Sequence, residues 1–561
     1  MRAKSLSLLR SAARCSRSGP IAPRVAHYGV RWSSTSTRER QWSTPLAKSL
    51  AEAITTTGPV SVASYMRQCL TSPEGGYYTR HAAGHDQFGA KGDFITSPEI
   101  SQVFGELVGI WLYTEWLAQG RIEGGVQIIE VGPGRGTLMD DVLRVCWKSL
   151  SFERIGRQAL DCAEGNRLEW AMLMDGQTIQ HFKPFAKSIE ALYLVEASPH
   201  LREQQNKLLS GTAQFEKIDI GYKSACKYLP GREITWCEDI RFVPKEENTT
   251  PFIIAHEFFD ALPIHVFQNI PQSTVPSAST IITPTGPITP KQGPKPTQNQ
   301  WHELVVSPIP STSTSTSTST PSRLSSQSSP KPEFQLTVSK SPTPQSLLLP
   351  IISQRYKALN HTPNAIIEIS PDSLSYASDF AVRIGGATPS ATPSATPSSP
   401  PADKPSPSGA ALILDYGPSD TIPANSLRGI KQHKTVSPFS QPGEVDLSAD
   451  VDFLALAEAA INASEGVEVH GPVEQVFFLS SLGIKERAEK LIEKARVKCV
   501  GGMEGDEKAQ EIVKRIDSSW KRLIDRGPMG MGRIYKAMAI VPHISGKEGR
   551  RPVGFGGSVV G

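Results

Sequence analysis

Within five residues the chain carries His256, Glu257 and Asp260, set around Phe258 and Phe259 at the end of the apolar run Phe252-Ile253-Ile254-Ala255. Such a group can hold a cation and move a proton. Two carboxylates take N–H donors from a positively charged ligand, and one of them, or the imidazole, accepts a proton. The plainer reading is a satisfied strand-end turn. Against it, two carboxylates buried beside aromatic rings are costly unless something positive meets them. A second group is Glu130-Val131-Gly132-Pro133-Gly134-Arg135-Gly136, at the end of an apolar run that starts at Val126. Glycine there permits positive φ and lets a ligand reach the backbone. The amphipathic run that follows, Thr137 to Leu150, predicts a helix whose N-terminus offers free N–H groups.

Dinucleotide enzymes hold a pyrophosphate with G-x-G-x-x-G at such a turn. Here the third glycine comes one residue early and an acid precedes the loop. That spelling resembles motif I of the S-adenosylmethionine (SAM) methyltransferases, and the plainer alternative is a glycine turn in any α/β domain. Other strands end in acids too. Ala191 to Val195 ends at Glu196, where an acid after the glycine-loop strand bonds ribose hydroxyls; the alternative is a carboxylate capping the helix near Pro199. Ile234 to Cys237 ends at Glu238 and Asp239, where an acid suits an adenine amino group. Ala410 to Leu414 ends at Asp415-Tyr416-Gly417. The loop Gly92-Asp93-Phe94-Ile95-Thr96-Ser97-Pro98-Glu99 leads into an apolar-striped helix to Gln119, with Thr96 or Ser97 as N-cap. It reads also as a lid over the glycine loop.

The chain has 561 residues and a formal net charge of +4, which points to neither a nucleic-acid nor an acidic partner. Eight basic residues and no acid precede Glu39, in a Ser-rich segment with Leu6, Leu8 and Leu9. That composition predicts a mitochondrial presequence, processed near Arg31-Trp32-Ser33-Ser34, and a matrix location. No stretch approaches the ~18–20 apolar residues of a membrane span. The seven cysteines are scattered without C-x-x-C, which argues against zinc and against a disulfide framework.

The expected organisation is a presequence over 1–44, a helical lid region over 45–125 and a first core part over 126–270. A low-complexity insertion with a short strand follows over 271–333, then core or subdomain over 334–386. A second insertion covers 387–408, a second core part with a helical subdomain 409–545, and a tail 546–561. Ser311 to Thr320 is an unbroken Ser-Thr repeat and 387–408 holds three copies of A-T-P-S; neither can bury enough apolar surface to offset chain entropy. Residues 151–187 read as an irregular insertion. His265 to Gln268, Trp301 to Val306, Phe334 to Val338 and Ala365 to Ile369 predict an antiparallel group of strands. Val473 to Leu482 predicts a helix, and Asp446 to Phe453 the acidic start of another. The basic stretch Leu427 to Val436 reads as a solvated face or part of a substrate loop.

With these blocks placed, the chain resembles the MidA-like family of the DUF185 type. The matching segments are GYY, GDFITSPEISQVFGELVGIWL, EVGPGRGTL, YLVEAS, AHEFFDALPIHVFQ, ALILDYG, DLSADVDF, GPVEQVFFLSSLGI and MGRIYKAMAI. The resemblance implies a class I, Rossmann-like α/β methyltransferase with a seven-stranded, mostly parallel sheet and an extra inserted subdomain. It implies SAM as donor, and symmetric dimethylation of an arginine in a complex I (NADH:ubiquinone oxidoreductase) peripheral-arm subunit during assembly. Carried onto this chain, Glu130, Gly132, Gly134 and Gly136 meet the amino-acid end of SAM, Glu196 its ribose and Asp239 its adenine. Glu257, Asp260 and His256 do the acceptor chemistry, and Asp93, Thr96, Ser97, Glu99 and Tyr416 are candidates for closing on the acceptor. Two other readings stay open on sequence: an assembly chaperone on the same fold without chemistry, and an NAD-dependent oxidoreductase.

Overall fold

The computed structural model describes residues 40–79, 89, 92–151, 176–211, 215–246, 248–271, 281–283, 286–288, 299–310, 331–386, 406–498, 503–543, 546 and 549–556. The expected presequence up to residue 39, the stretches 272–280, 289–298 and 311–330 of the expected insertion, and residues 387–405 lie outside them. Seven strands form the central sheet: β1 (Val126–Val131), β2 (Ile189–Val195), β3 (Glu233–Cys237), β4 (Thr250–His256), β5 (Ala410–Tyr416), β6 (Val467–Glu474) and β7 (Tyr535–Pro542). Their order is β3-β2-β1-β4-β5-β7-β6. β1 to β5 pair in parallel, and β7 runs antiparallel to both β5 and β6. Beyond β3, Gly221–Ala225 and Glu216–Ile218 add an antiparallel ribbon, so the sheet has nine strands.

Every residue of β1, β4 and β5 is buried. That is the signature of strands covered on both faces, and it explains their nearly continuous apolar spelling. Strand alternation sends Ile128 to the side packed by Gln102–Ala118 and Thr137–Ser151, and Ile129 to the side packed by Pro371–Gly385 and Phe453–Ala463. Beside this core, His265–Ile270, Gln300–Pro308, Phe334–Val338 and Ile366–Ile369 pair antiparallel, as their alternation predicts, and Val60–Ser61, whose spelling reads as the start of a helix, adds a fifth strand to that sheet. Helices Pro45–Thr57 and Val62–Thr71 pack on it through Leu50, Tyr65 and Met66. Among the described residues no helix is long and apolar enough to cross a membrane.

Several expectations are corrected. Gly176–Ser188, largely inside the stretch read as irregular, is a helix that buries Phe185 against Phe252 of β4 and Phe182 against Tyr113 and Val145 of the neighbouring helices. Val473 and Glu474 end β6 and the helix begins only at Gln475; Gly471-Pro472 interrupts this strand's spelling, which Pro permits at a sheet edge or bulge. The helix expected over 98–119 breaks at Ser101, whose side chain caps Gln102–Ala118. Asp446–Ser448 is a strand, not a helix start; Asp452 caps the helix Phe453–Ala463. The basic stretch forms the hairpin Arg428–Lys431 and Lys434–Val436, completing a three-stranded sheet with Asp446–Ser448. Trp42 stacks on Phe334 and Ser43 bonds Glu333, so Trp42 to Thr44 belong with the fold and not with the basic segment. The supposed tail returns to the core: Val553 O accepts the Trp111 indole N–H and Phe555 packs on Phe478.

Gly105 sits where Gln102–Ala118 crosses Thr137–Ser151. A Cβ there would stand 2.5 Å from Asp141 Cβ. On helix propensity alone Gly105→Ala would stabilise by about 1 kcal/mol. Contact with a neighbouring Cβ reverses the sign, and thermal unfolding should show a loss of roughly 1–3 kcal/mol.

Candidate active site

The carboxyl ends of β1 to β5 open onto one cavity of about 480 Å³. This is the end of an open α/β sheet at which ligands bind. On one side stands the glycine loop. Gly132 has φ +65° and Gly134 φ +53°, and both border the cavity. A Cβ at Gly132 would meet Phe258 Cδ2 at 2.6 Å, so the loop packs directly on the segment after β4. Gly136 is placed differently: it faces Gln205 and Leu209 and lets the helix Pro199–Ser210 approach.

Glu130 and Glu196 lie side by side at the ends of β1 and β2, both bordering the cavity. Burial, with Glu196 adding its charge, pushes the Glu130 carboxyl up to about 8. Among the described residues its Oε2 has no partner. Burial lifts Glu196 to about 7, opposed by the amide of Ser198 on Oε1 (2.8 Å) and Gln205 Nε2 on Oε2 (3.3 Å). Gln205 also bonds Gly134 O (2.6 Å) and accepts from Trp236 Nε1 (2.9 Å), joining loop, acid and β3. Asp239 does not reach the cavity. Its carboxylate forms a two-point pair with Arg241 Nε and Nη2, both 2.9 Å. Glu238 takes the place by the cavity and pairs with Arg202 (3.2 Å).

On the other side is the segment after β4. Glu257 has φ +48°, a strained conformation for a non-glycine residue, and the one that turns its side chain out of the strand line. Its Oε1 accepts the amide of Ser97 (3.4 Å), and burial with the charges of Asp260 and Asp415 raises its carboxyl well above the usual range. His256 Nε2 lies 3.3 Å from Glu257 Oε1 but without hydrogen-bond geometry. Burial holds the imidazole down to about 3, so the two groups are a neutral contact and not an ion pair. Asp260 borders the cavity; its Oδ2 accepts the Tyr416 hydroxyl, which also contacts Ser448 Oγ, while its buried Oδ1 has no hydrogen-bond partner among the described residues.

The lid residues divide. Thr96 and Glu99 border the cavity as the two ends of a capping box, and Glu99 Oε1 pairs with Arg135 (3.2 Å). Ser97 contributes its amide only. Asp93 lies behind the wall, where it accepts the Tyr77 hydroxyl (2.9 Å) and the Gln432 amide (2.8 Å) and so ties the lid to the basic hairpin. Arg428, from the basic stretch with a substrate loop among its readings, borders the cavity, and so do Tyr78, Asp446 and Tyr535, to which sequence reasoning gave no site role. Asp415 was visible as a strand-end acid, but its job was not: Oδ2 accepts the amides of Phe259 (2.8 Å), Phe258 (3.1 Å) and Asp260 (3.4 Å), and Oδ1 that of Tyr416 (2.9 Å).

Strand order β3-β2-β1-β4-β5-β7-β6 with β7 reversed, a glycine loop after β1 and an acid after β2 define a Rossmann-like, SAM-dependent methyltransferase fold. Residues 107–155 and 173–473 match the family described as "Putative S-adenosyl-L-methionine-dependent methyltransferase", and the chain belongs to that family. It is similar to "Protein arginine methyltransferase NDUFAF7, mitochondrial" from Homo sapiens, at 30% identity over 90% of this chain and 86% of that protein. The Danio rerio protein of that name is 32% identical over 82% of each. A COG1565 superfamily crystal structure from Burkholderia thailandensis, bound to S-adenosyl-homocysteine, shares the fold with a TM-score of 0.53 and 17% identity, covering 88% of this chain and 91% of that one. SAM is the cofactor of the family, and the cavity suits it: the glycine loop and the buried carboxyl groups of Glu130 and Glu196 border it together.

Two results are expected from calorimetry. Glu130 and Glu196 are largely protonated in the empty site below about 7 and a bound sulfonium favours their ionised forms. SAM affinity should therefore rise from pH ~6 to ~8 with proton release, then level off. A flat profile would remove both acids from the ligand's surroundings. The same raised values run the other way for the empty fold, whose stability falls as pH climbs from 4.5 through about 7 and 8. Secondly, Asp239→Asn should leave SAM affinity unchanged while Glu238→Ala lowers it.

Proposed function

We propose that the chain is a mitochondrial SAM-dependent protein arginine N-methyltransferase acting on a peripheral-arm subunit of complex I, forming symmetric dimethylarginine and needed for assembly. The observation that carries this reading is the cavity wall after β4, where Glu257 and Asp260 bring two carboxyl groups, both raised by burial, to the cavity that the glycine loop also borders. The relatives' names support arginine as acceptor and the mitochondrion as location, the latter with the basic, acid-poor segment before Glu39. The complex I subunit and the symmetric product rest on the family resemblance.

In this reading Gly132 and Gly134, with Glu130, hold the amino-acid end of SAM, Glu196 the ribose and Glu238 the adenine side. SAM supplies an activated methyl group on a sulfonium whose sulfur keeps the C–S electron pair. Acceptor alignment is then the main task, and alignment can supply a large share of the rate. Burial and the neighbouring charges of Asp260 and Asp415 raise the Glu257 carboxyl, so it resists ionising without a cation beside it. An arriving guanidinium compensates its charge, the carboxyl ionises, and it can then take the proton that the nitrogen loses on methylation. His256, neutral and 3.3 Å from Glu257 Oε1, packs beside the base as an uncharged wall. Asp260, positioned by the Asp415 amide cage, holds the guanidinium. Glu99 and Thr96 close the wall above.

The test is methylarginine formation on the subunit with SAM, read by mass spectrometry. Glu257→Gln should lower turnover by roughly a hundredfold or more with SAM affinity kept. Normal transfer by Glu257→Gln would remove it as the base, and wild-type protein that binds SAM yet yields no methylarginine would overturn the reading.

A further inference from the structure

The three-stranded sheet of Arg428–Lys431, Lys434–Val436 and Asp446–Ser448 is bound to the ends of β4 and β5. Ala449 N donates to Asp260 O (2.9 Å) and Val451 N to Tyr416 O (3.0 Å). Its register sets Ile430 opposite Asp446 and Arg428 opposite Ser448, and Arg428, Ile430 and Asp446 all border the cavity. Asp446 is only 4% exposed. Its Oδ1 accepts the Tyr78 hydroxyl at 3.0 Å, and Asp260 lies near enough to act on its charge. No cation among the described residues pairs with it. Arg428, the nearest candidate, is committed to Asp450 Oδ1 (2.7 Å) and Ser426 O (3.0 Å) and lies 4.7 Å over the Tyr416 ring.

Two neighbouring carboxylates from separate pieces of chain thus face one cavity, and Asp260 Oδ1 is buried there without a partner. A carboxylate kept in such a place is costly unless its ligand brings the charge. A guanidinium fits: it is planar and fixes five N–H donors in a fork that two carboxylates can share, whereas an ammonium is a compact point charge. We propose that Asp446, oriented by Tyr78, is an acceptor-binding residue that grips the substrate guanidinium together with Asp260 and selects arginine over lysine. This rests on the arginine methyltransferase reading above. The grip leaves the transfer to one free terminal nitrogen, where the N–C bond forms as the S–C bond breaks and the nitrogen's proton passes to Glu257.

The experiment measures acceptor KM, kcat, SAM affinity and Tm for the full chain, wild type beside Asp446→Asn and Tyr78→Phe. Loss of a charge-assisted hydrogen bond predicts an acceptor KM raised roughly 10- to 100-fold in Asp446→Asn, and loss of a neutral one roughly fivefold in Tyr78→Phe. SAM affinity should stay within about twofold in both. Tm should hold or rise in Asp446→Asn, because a buried, unpaired carboxylate is removed; a structural role would instead lower Tm and leave KM unmoved. If Asp446→Asn fails to fold, Tyr78→Phe decides by the same KM criterion. Wild-type activity with an unchanged KM in the variants overturns this inference alone. A wild-type chain that binds SAM and methylates no arginine overturns it together with the reading beneath it.

Discussion

The site depends on one carboxylate. Asp415 closes β5 and is wholly buried, and its oxygens take four backbone amides: those of Phe258, Phe259 and Asp260 from the neighbouring strand's end, and that of Tyr416. A buried carboxyl needs such partners. In turn the amides fix a bend that the backbone resists, since Glu257 at φ +48° carries strain of order 1–3 kcal/mol. From this bend the other contacts follow. Phe258 is laid against Gly132, Phe259 enters the core under Phe380, Asp260 turns to the cavity, and its carbonyl anchors the three-stranded sheet through Ala449. The cofactor loop and the acceptor segment are therefore one packed unit.

Around that unit the protein concentrates acids in a closed space. Glu130, Glu196, Asp260 and Asp446 are buried at the cavity and the Glu257 side chain is 10% exposed, and burial raises each carboxyl above its ordinary value. Each acid there holds its proton to a higher pH than a free carboxyl does. A cation entering a low-dielectric space strengthens every one of these interactions and releases protons. The ligands thus supply the counter-charge that the fold withholds, which gives acids at successive strand ends a common physical reason.

Much of the site was legible because it is local. Glycines at alternate positions after an apolar run, acids at the ends of buried strands, and Thr96 with Glu99 three residues later each carry their meaning within a few residues. Reading failed where side-chain pairing decides. Asp239 and Glu238 are indistinguishable as strand-end acids, and Arg241 only two residues on takes the first out of the cavity. Asp93 looked like a lid acid, yet Gln432 and Tyr77 claim it. Asp446 was spelled like a helix cap, and its pairing with Ile430 makes it a strand residue facing the cavity.

The sequence by itself determined the buried strands of the core and the glycine loop, because hydrophobic period and backbone freedom act over short spans. It also fixed where the acids end their strands. Tertiary structure alone decided which acids share a cavity, which are spent on a neighbouring arginine or amide, and whether a glycine is tolerated or required. Gly105 shows the difference: helix propensity favours alanine there, and the Cβ of Asp141 on the crossing helix forbids it. Contacts of that kind join residues far apart in the chain, and no local pattern encodes the distance at which they meet.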